Sequence, residues 1–154
     1  MNTIGITGGT GLVGKHLSQQ LLAQGFKVVI FTRSTATKKG PEGLSYAHWD
    51  VKRQSCDLAA LKSLNGIVHL AGAGIADKRW TDKRKKEITE SRVKGTQFLV
   101  SLIKEHAPGC KTFVSASATG YYGASHPHKP AFTEDSPAYT DRSEEHTSEL
   151  QSQR

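Results

Sequence analysis

The segment Thr7-Gly8-Gly9-Thr10-Gly11-Leu12-Val13-Gly14 constrains this chain more than any other. Before it lies the β-branched run from Thr3 to Thr7. After it, Leu12 to Gln24 carries Val13, Leu17 and Leu21 at four-residue spacing and stops at Gly25, so a strand enters the glycines and a helix leaves them. Gly8, Gly11 and Gly14 recur at every third position. Glycine at such a junction permits a tight turn and lets the main chain approach a pyrophosphate with no Cβ between them. It also lets the helix pack close to the strand. The start of the helix then presents free N–H groups and a partial positive charge to an anion. The whole loop, Thr7, Gly8, Gly9, Thr10, Gly11, Leu12, Val13 and Gly14, is the first candidate cofactor-binding element.

The alternation continues. Lys27 to Thr32 (KVVIFT) is almost wholly apolar, as in a strand covered on both faces. A polar loop leads to a short strand near Leu44 to Trp49, and Leu58 to Leu64 is expected to make one or two helical turns. Gly66 to Ala71 (GIVHLA) is a fourth strand. Thr81 to His106 is helical in pattern, with Val93, Phe98, Val100, Leu102 and Ile103 expected on its buried side, and Lys111 to Ala116 (KTFVSA) is a fifth strand. Strands separated by helical connections mean βαβ units. The fold expected is α/β, a doubly wound, Rossmann-type parallel sheet of about five strands in the order 3-2-1-4-5, with the fifth strand at an edge. After Gly123 the periodicity stops. His126 and His128 stand in this polar stretch and are read as solvated, and no metal site is assigned.

The end of the second strand bears on the cofactor. Sites for NAD(H) usually place an Asp or Glu there, accepting from the ribose 2′-hydroxyl. Here Thr32, Arg33 and Ser34 follow, and an arginine holds a 2′-phosphate through charge-assisted bonds. NADP(H) is therefore favoured, with NAD(H) as the alternative. The fourth strand ends in His69-Leu70-Ala71-Gly72, and small residues at the carboxyl end of a central strand are where a cofactor crosses an open sheet. His69 itself is read as structural. The formal charge of +7 raises the question of anionic partners, and Lys78, Arg79, Lys83, Arg84, Lys85 and Lys86 crowd one segment. No zinc-finger spacing or RNA-binding aromatic motif accompanies them, so they are read as a solvated helix face and no nucleic-acid partner is expected. Cys56 and Cys110 match no metal or redox spacing. With no secretory signal and no apolar run long enough for a membrane helix, a cytoplasmic protein with no membrane partner is expected.

TGGTGLVG (Thr7 to Gly14), Thr32-Arg33, HLAGAGIADKRW (His69 to Trp80), SRVKGT (Ser91 to Thr96), SASATGYYG (Ser115 to Gly123) and TEDSP (Thr133 to Pro137) occur in order. Together they resemble the extended and atypical short-chain dehydrogenase/reductases, and within them an epimerase-like branch, the NAD-dependent epimerase/dehydratase or sugar-nucleotide epimerase type. The resemblance implies a pyrophosphate site at the glycine loop and a 2′-phosphate site at Thr32 and Arg33. It places Leu70 and Ala71 on the adenosine side of the cofactor, and Arg92 and Glu87 facing it. Arg92 departs from the asparagine that many extended members carry there. Ser117 matches the serine that sits beside the catalytic tyrosine in sugar epimerases, and is the candidate catalytic residue. The largest departure is the superfamily's Tyr-x-x-x-Lys acid/base pair: Tyr139 has Ser143, not lysine, four residues on. The resemblance implies an oxidoreductase or isomerase acting on a small polar or nucleotide-sugar-like substrate. A non-catalytic NADP(H)-binding or sensing protein on the same scaffold is the alternative. Oligomeric state and substrate identity have no signature. The string RSEEHTSELQS (Arg142 to Ser152) reads as one frame of an adapter used in short-read DNA sequencing. Residues 1–141 are therefore expected to be an incomplete N-terminal cofactor-binding domain, inactive alone, and residues 142–154 a non-native tail.

Overall fold

A computed structural model of the protein describes residues 2–35, 39–75, 78–117, 119–123 and 130–137. His126, His128, Tyr139 and the expected tail at 142–154 lie outside these described residues. The chain divides into two units, Met1–Ala116 and one beginning at Ser117. The first unit contains β1 (Thr3–Thr7), α1 (Leu12–Ala23), β2 (Lys27–Thr32), β3 (Leu44–Asp50), β4 (Ser55–Cys56), α2 (Leu58–Lys62), β5 (Gly66–His69), α3 (Asp82–His106) and β6 (Thr112–Ser115).

The strands form one sheet in the order β4-β3-β2-β1-β5-β6. Every pairing is parallel except that of β4. Leaving β4 aside, this is the 3-2-1-4-5 order expected of the doubly wound fold. β4 adds a two-residue antiparallel strand, Trp49 opposite Cys56 and Asp50 opposite Ser55. The turn before it is held by the Asp50 carboxylate, which accepts from the Lys52 and Arg53 N–H groups at 2.9 and 3.2 Å. Two residues are too few to show a period, so no pattern announced this strand.

β2 explains why a continuous apolar run is needed. Val28 and Ile30 face one side with Ile6, packed by Leu17, Leu21 and Leu22 of α1. Val29 and Phe31 face the other with Trp49, Leu61, Leu64, Ile67 and Leu99, packed by Ala60 of α2 and by Phe98, Leu102 and Ile103 of α3. All four β2 side chains are buried because helices cover both faces. β6 occupies an edge of the sheet with Phe113 and Val114 exposed. The helix starts follow from local chemistry: Asp57 accepts from the Ala60 N–H at 3.0 Å at the start of α2, and Thr81 from the Arg84 N–H at 3.2 Å at the start of α3.

Two residues placed on buried faces by their spacing are in fact exposed: Val13 at 65% and Val93 at 49%. In α3 the buried positions are Arg84, Gly95 and Leu99, with Leu102 and Ile103 beside them. Val93 lies two residues before Gly95, about 160° round the helix at 3.6 residues per turn. Its apolar character misleads because the contact row of α3 uses Gly95, a residue with no side chain, to approach the sheet. Leu99→Ala should therefore cost about 2–5 kcal/mol of unfolding free energy, whereas Val93→Ala should stay within about 0.5 kcal/mol. Urea unfolding of both variants checks this, and equal losses would contradict the assigned face.

Candidate cofactor site

β1 lies between β2 and β5, with Thr7 level with Phe31 on one side and with His69 on the other. The exits of the three strands therefore open side by side at the carboxyl edge of the sheet. That edge holds the glycine turn after β1, Thr32 and Arg33 at the end of β2, and Leu70 to Gly72 after β5. Thr32 is half-buried and Arg33 exposed.

Main-chain crowding fixes the glycine turn. Gly8 has φ +72°, and a Cβ there would lie 2.8 Å from the Leu70 carbonyl carbon and oxygen and 2.9 Å from the Ala71 nitrogen. A Cβ on Gly14 would lie 2.5 Å from Gly9 Cα and 2.6 Å from Gly8 O, and one on Gly9 would lie 2.8 Å from Ile30 Cγ1. Backbone atoms cannot retreat as a flexible side chain does, so Gly8 and Gly14 admit no other residue without moving the turn. Gly11 is less crowded, since a Cβ there would lie 3.3 Å from Gly8 O, and its N–H donates to that oxygen at 3.0 Å. Gly11 is also the N-cap of α1, and no side chain caps the helix there. Leu12 is 89% exposed beside it. The glycines of this turn thus put no side chain of their own over its main chain, and the first amides of α1 have no side-chain cap. Those are the properties a pyrophosphate needs in its seat, so the residues present fit a dinucleotide.

The turn is braced from below. Thr7 Oγ1 shares a hydrogen bond with His69 Nδ1 at 2.6 Å and accepts from the Ala71 N–H at 3.3 Å, tying the ends of β1 and β5 together. His69 is buried, edge-on to Trp49 at 5.9 Å and tilted against Phe113 at 6.2 Å. Its Nε2 has no hydrogen-bond partner among the described residues. Burial pushes the imidazole below its ordinary pKa, so it stays neutral. This is the structural histidine expected from an isolated strand position.

The segment after β5 is held by α3. The Ala73 N–H donates to Ser91 Oγ at 3.0 Å, and Arg92 Nη1 donates to the carbonyls of Ala73 at 3.2 Å and Ile88 at 3.1 Å. The Arg92 guanidinium lies against Gly72, whose Cβ would sit 3.2 Å from Arg92 Cζ. Arg84 Nη1 donates to Glu87 Oε2 at 2.7 Å and Nη2 to the Gly74 carbonyl at 2.6 Å. The hydrogen bond from Arg84, with its charge and those of Lys78 and Lys52, holds the Glu87 carboxyl below its usual range. Arg84 corrects the reading of the basic run as a solvated face: it is 6% exposed, while Lys78, Arg79, Lys83, Lys85 and Lys86 are exposed as expected. Its burial depends on Gly74 and Glu87, which no count of local charge reveals.

Ser117 is exposed and opens the second unit. Within that unit Thr119–Tyr122 makes a 3-10 turn, Tyr121 packs edge-on against Tyr122 at 5.0 Å, and Tyr122 stacks on Phe132 at 5.5 Å. Cys56 and Cys110 are free thiols. Burial, with the nearby Asp57 charge, pushes Cys56 up to about 11, and burial also raises Cys110. Neither has the lowered pKa of a reactive thiolate. No described helix is long and apolar enough to cross a membrane.

A parallel sheet wound on both faces, with a glycine turn at the exit of its central strand, defines the Rossmann-type class of α/β protein. More narrowly, the chain belongs to the NAD-dependent epimerase/dehydratase family, whose model matches residues 4–145. It is 35% identical over 147 residues to the epimerase family protein YfhF of Bacillus subtilis (strain 168), a match covering 96% of this chain and 47% of that protein. It is 38% identical over 119 residues to the epimerase family protein SH2119 of Staphylococcus haemolyticus, covering 76% and 38%. The chain thus spans about half or less of the length of these curated relatives. Among solved structures, human epimerase family protein SDR39U1 (isoform 2) with NADPH matches at a TM-score of 0.65 and 30% identity, covering 88% of this chain and 42% of that one. MoeE5 in complex with UDP-glucuronic acid and NAD matches at 0.69 and 26%, covering 90% and 43%.

His69 gives the site a pH dependence. Its folded-state pKa lies below the ordinary 6.5, so the unfolded chain takes up the proton first. Its contribution to stability is complete above pH 6.5 and is lost as the pH falls below that value toward the folded-state pKa. The lowered carboxylates titrate below their ordinary 4.5 and leave this window clear. The melting temperature should fall as the pH drops below 6.5, and His69→Phe should flatten that fall. A slope that survives the substitution would contradict the role given to His69.

Proposed function

We propose that this chain is the NADP(H)-binding part of an epimerase-like oxidoreductase or isomerase of the short-chain dehydrogenase/reductase type. Its substrate would be small and polar or nucleotide-sugar-like. The observation that carries the reading is the bare main-chain seat at Gly8, Gly9, Gly11 and Gly14, beside a β2 exit occupied by Thr32 and Arg33 instead of a carboxylate. In this reading the amides of Leu12, Val13 and Gly14 meet the pyrophosphate, and Arg33 with Thr32 holds the 2′-phosphate. Leu70, Ala71 and Gly72 line the adenosine side, and Glu87 and Arg92 face the cofactor from α3. The NADPH named with SDR39U1 supports the phosphate assignment, and the NAD named with MoeE5 keeps NAD(H) as its competitor. When bound, the cofactor supplies or removes hydride at a carbonyl or alcohol carbon. Ser117 is the hydroxyl proposed to orient that oxygen. The free thiols fit a cytoplasmic protein.

Turnover is proposed for the whole protein, of which this chain spans about half by comparison with its relatives. Residues 1–141 carry the cofactor-binding domain in this reading, and residues 142–154 take no part. The alternative is NADP(H) binding without catalysis on the same scaffold. Oxidation of NADPH with a sugar-nucleotide substrate by the full-length protein separates the two.

Titration of the chain with NADPH and NADH by calorimetry tests the cofactor reading. NADPH should bind more tightly, and Arg33→Ala should weaken it about tenfold, the scale of one charge-assisted contact, while leaving NADH nearly unchanged. Equal affinities would overturn the NADP(H) preference, and binding of neither would overturn the cofactor site.

A further inference from the structure

Arg84 is the one residue of the basic run that is buried, and it is not explained by solvation. Its side chain is 7% exposed, whereas its partner Glu87 is 45% exposed. A buried guanidinium needs its charge and its donors matched by acceptors in fixed directions. Here one arm meets a carboxylate on the same helix, one turn on, at 2.7 Å. Another meets the Gly74 main-chain carbonyl across the loop at 2.6 Å. The loop it reaches, Gly72 to Ile75, has glycine at two of its four positions and little side chain of its own to hold it. Other tethers act on neighbouring atoms: Ser91 and Arg92 on Ala73, and Trp80, whose Nε1 donates to the Ile75 carbonyl at 3.0 Å. Of these tethers, Arg84 is the one that also grips Glu87.

We infer that Arg84 is a positioning residue for cofactor binding. By joining the Gly74 carbonyl to the Glu87 carboxylate it makes the loop after β5 and the cofactor-facing acid of α3 a single rigid element, without touching the cofactor itself. The inference rests on the reading that Gly72 and Glu87 face NADP(H). Its mechanism is geometric: the planar fork of arginine spans two acceptors that the single ammonium of a lysine cannot hold in the same way. The charged groups that face Glu87 are Arg84, Lys78 and Lys52. Of these Arg84 makes the direct hydrogen bond, so its removal also returns the carboxyl toward its ordinary titration range.

The test uses the full chain and two readouts, the dissociation constant for NADPH and the titration of the Glu87 side-chain carboxyl followed by carbon-13 NMR without cofactor. Arg84→Gln should weaken NADPH about tenfold, the scale of a charge-assisted hydrogen bond, and should move the Glu87 titration up toward 4.5. Arg84→Lys should recover part of both. If Arg84→Gln does not fold, the cycle of Arg84→Lys, Glu87→Gln and the double variant carries the test. Non-additive effects on NADPH binding support the inference, and additive effects overturn it. Wild-type binding with unchanged affinity in Arg84→Gln overturns this inference alone, whether or not Glu87 shifts. A wild-type chain that binds neither NADPH nor NADH overturns the cofactor reading, and this inference with it.

Discussion

The close packing of glycine main chain at the exit of β1 organises the carboxyl edge of the sheet. Gly14, in the first turn of α1, packs directly on Gly9 and Gly8, and Gly8 in turn packs on the backbone of Leu70 and Ala71. Helix start, β1 exit and β5 exit therefore share one small volume with no room for a Cβ on Gly8 or Gly14. Thr7 completes the junction with one oxygen, meeting His69 Nδ1 and the Ala71 N–H at once. Because the sheet crosses over at β1, with β2 and β5 as its neighbours, this junction lies where an open parallel sheet receives its ligand. The proposed ligand seat and the strand packing depend on the same absence of Cβ atoms.

α3 supplies the opposite kind of construction. Where the glycine turn works by having no side chains, the Gly72–Ile75 segment is held by side chains sent from elsewhere: Arg84, Ser91 and Arg92 from one helix, and Trp80 from just before it. Glycine serves here too, since a Cβ on Gly72 would lie only 3.2 Å from Arg92 Cζ. The energetic weight differs between the two arginines. Arg92 is exposed, so water competes for its donors and its bonds contribute little to stability. Arg84 is buried, and losing either acceptor would leave a desolvated donor of a charged group, which is costly.

What was legible in the sequence was what depends on neighbours close in the chain. β2 could be read because two-sided burial demands consecutive apolar residues, and the glycine turn because strand, spacing and helix are contiguous. The sheet order followed from the alternation of elements, and the structure adds to it only β4, too short to carry a period. Val93 misled because burial on α3 is decided by Gly95 and Leu99 against the sheet, and a glycine contact leaves no apolar mark. Arg84 misled for a related reason. Its acceptors are a carbonyl ten positions earlier and a carboxylate three positions later, so its burial is a property of the folded loop and not of the basic run. Glu87 and Arg92 entered through family resemblance, and only the folded chain shows that both belong to the bracing of one loop.

The central claim is that the glycine turn, the β2 exit and the β5 exit together form one dinucleotide seat. Backbone amide shifts of the nitrogen-15-labelled chain, recorded as NADPH is added, test it most directly. The account expects the largest changes at Gly8 to Gly14, Thr32 to Ser34 and Leu70 to Gly74, rising together with one dissociation constant. Saturable changes that spare the glycine turn, or that centre on another surface such as the exposed edge of β6, would contradict it.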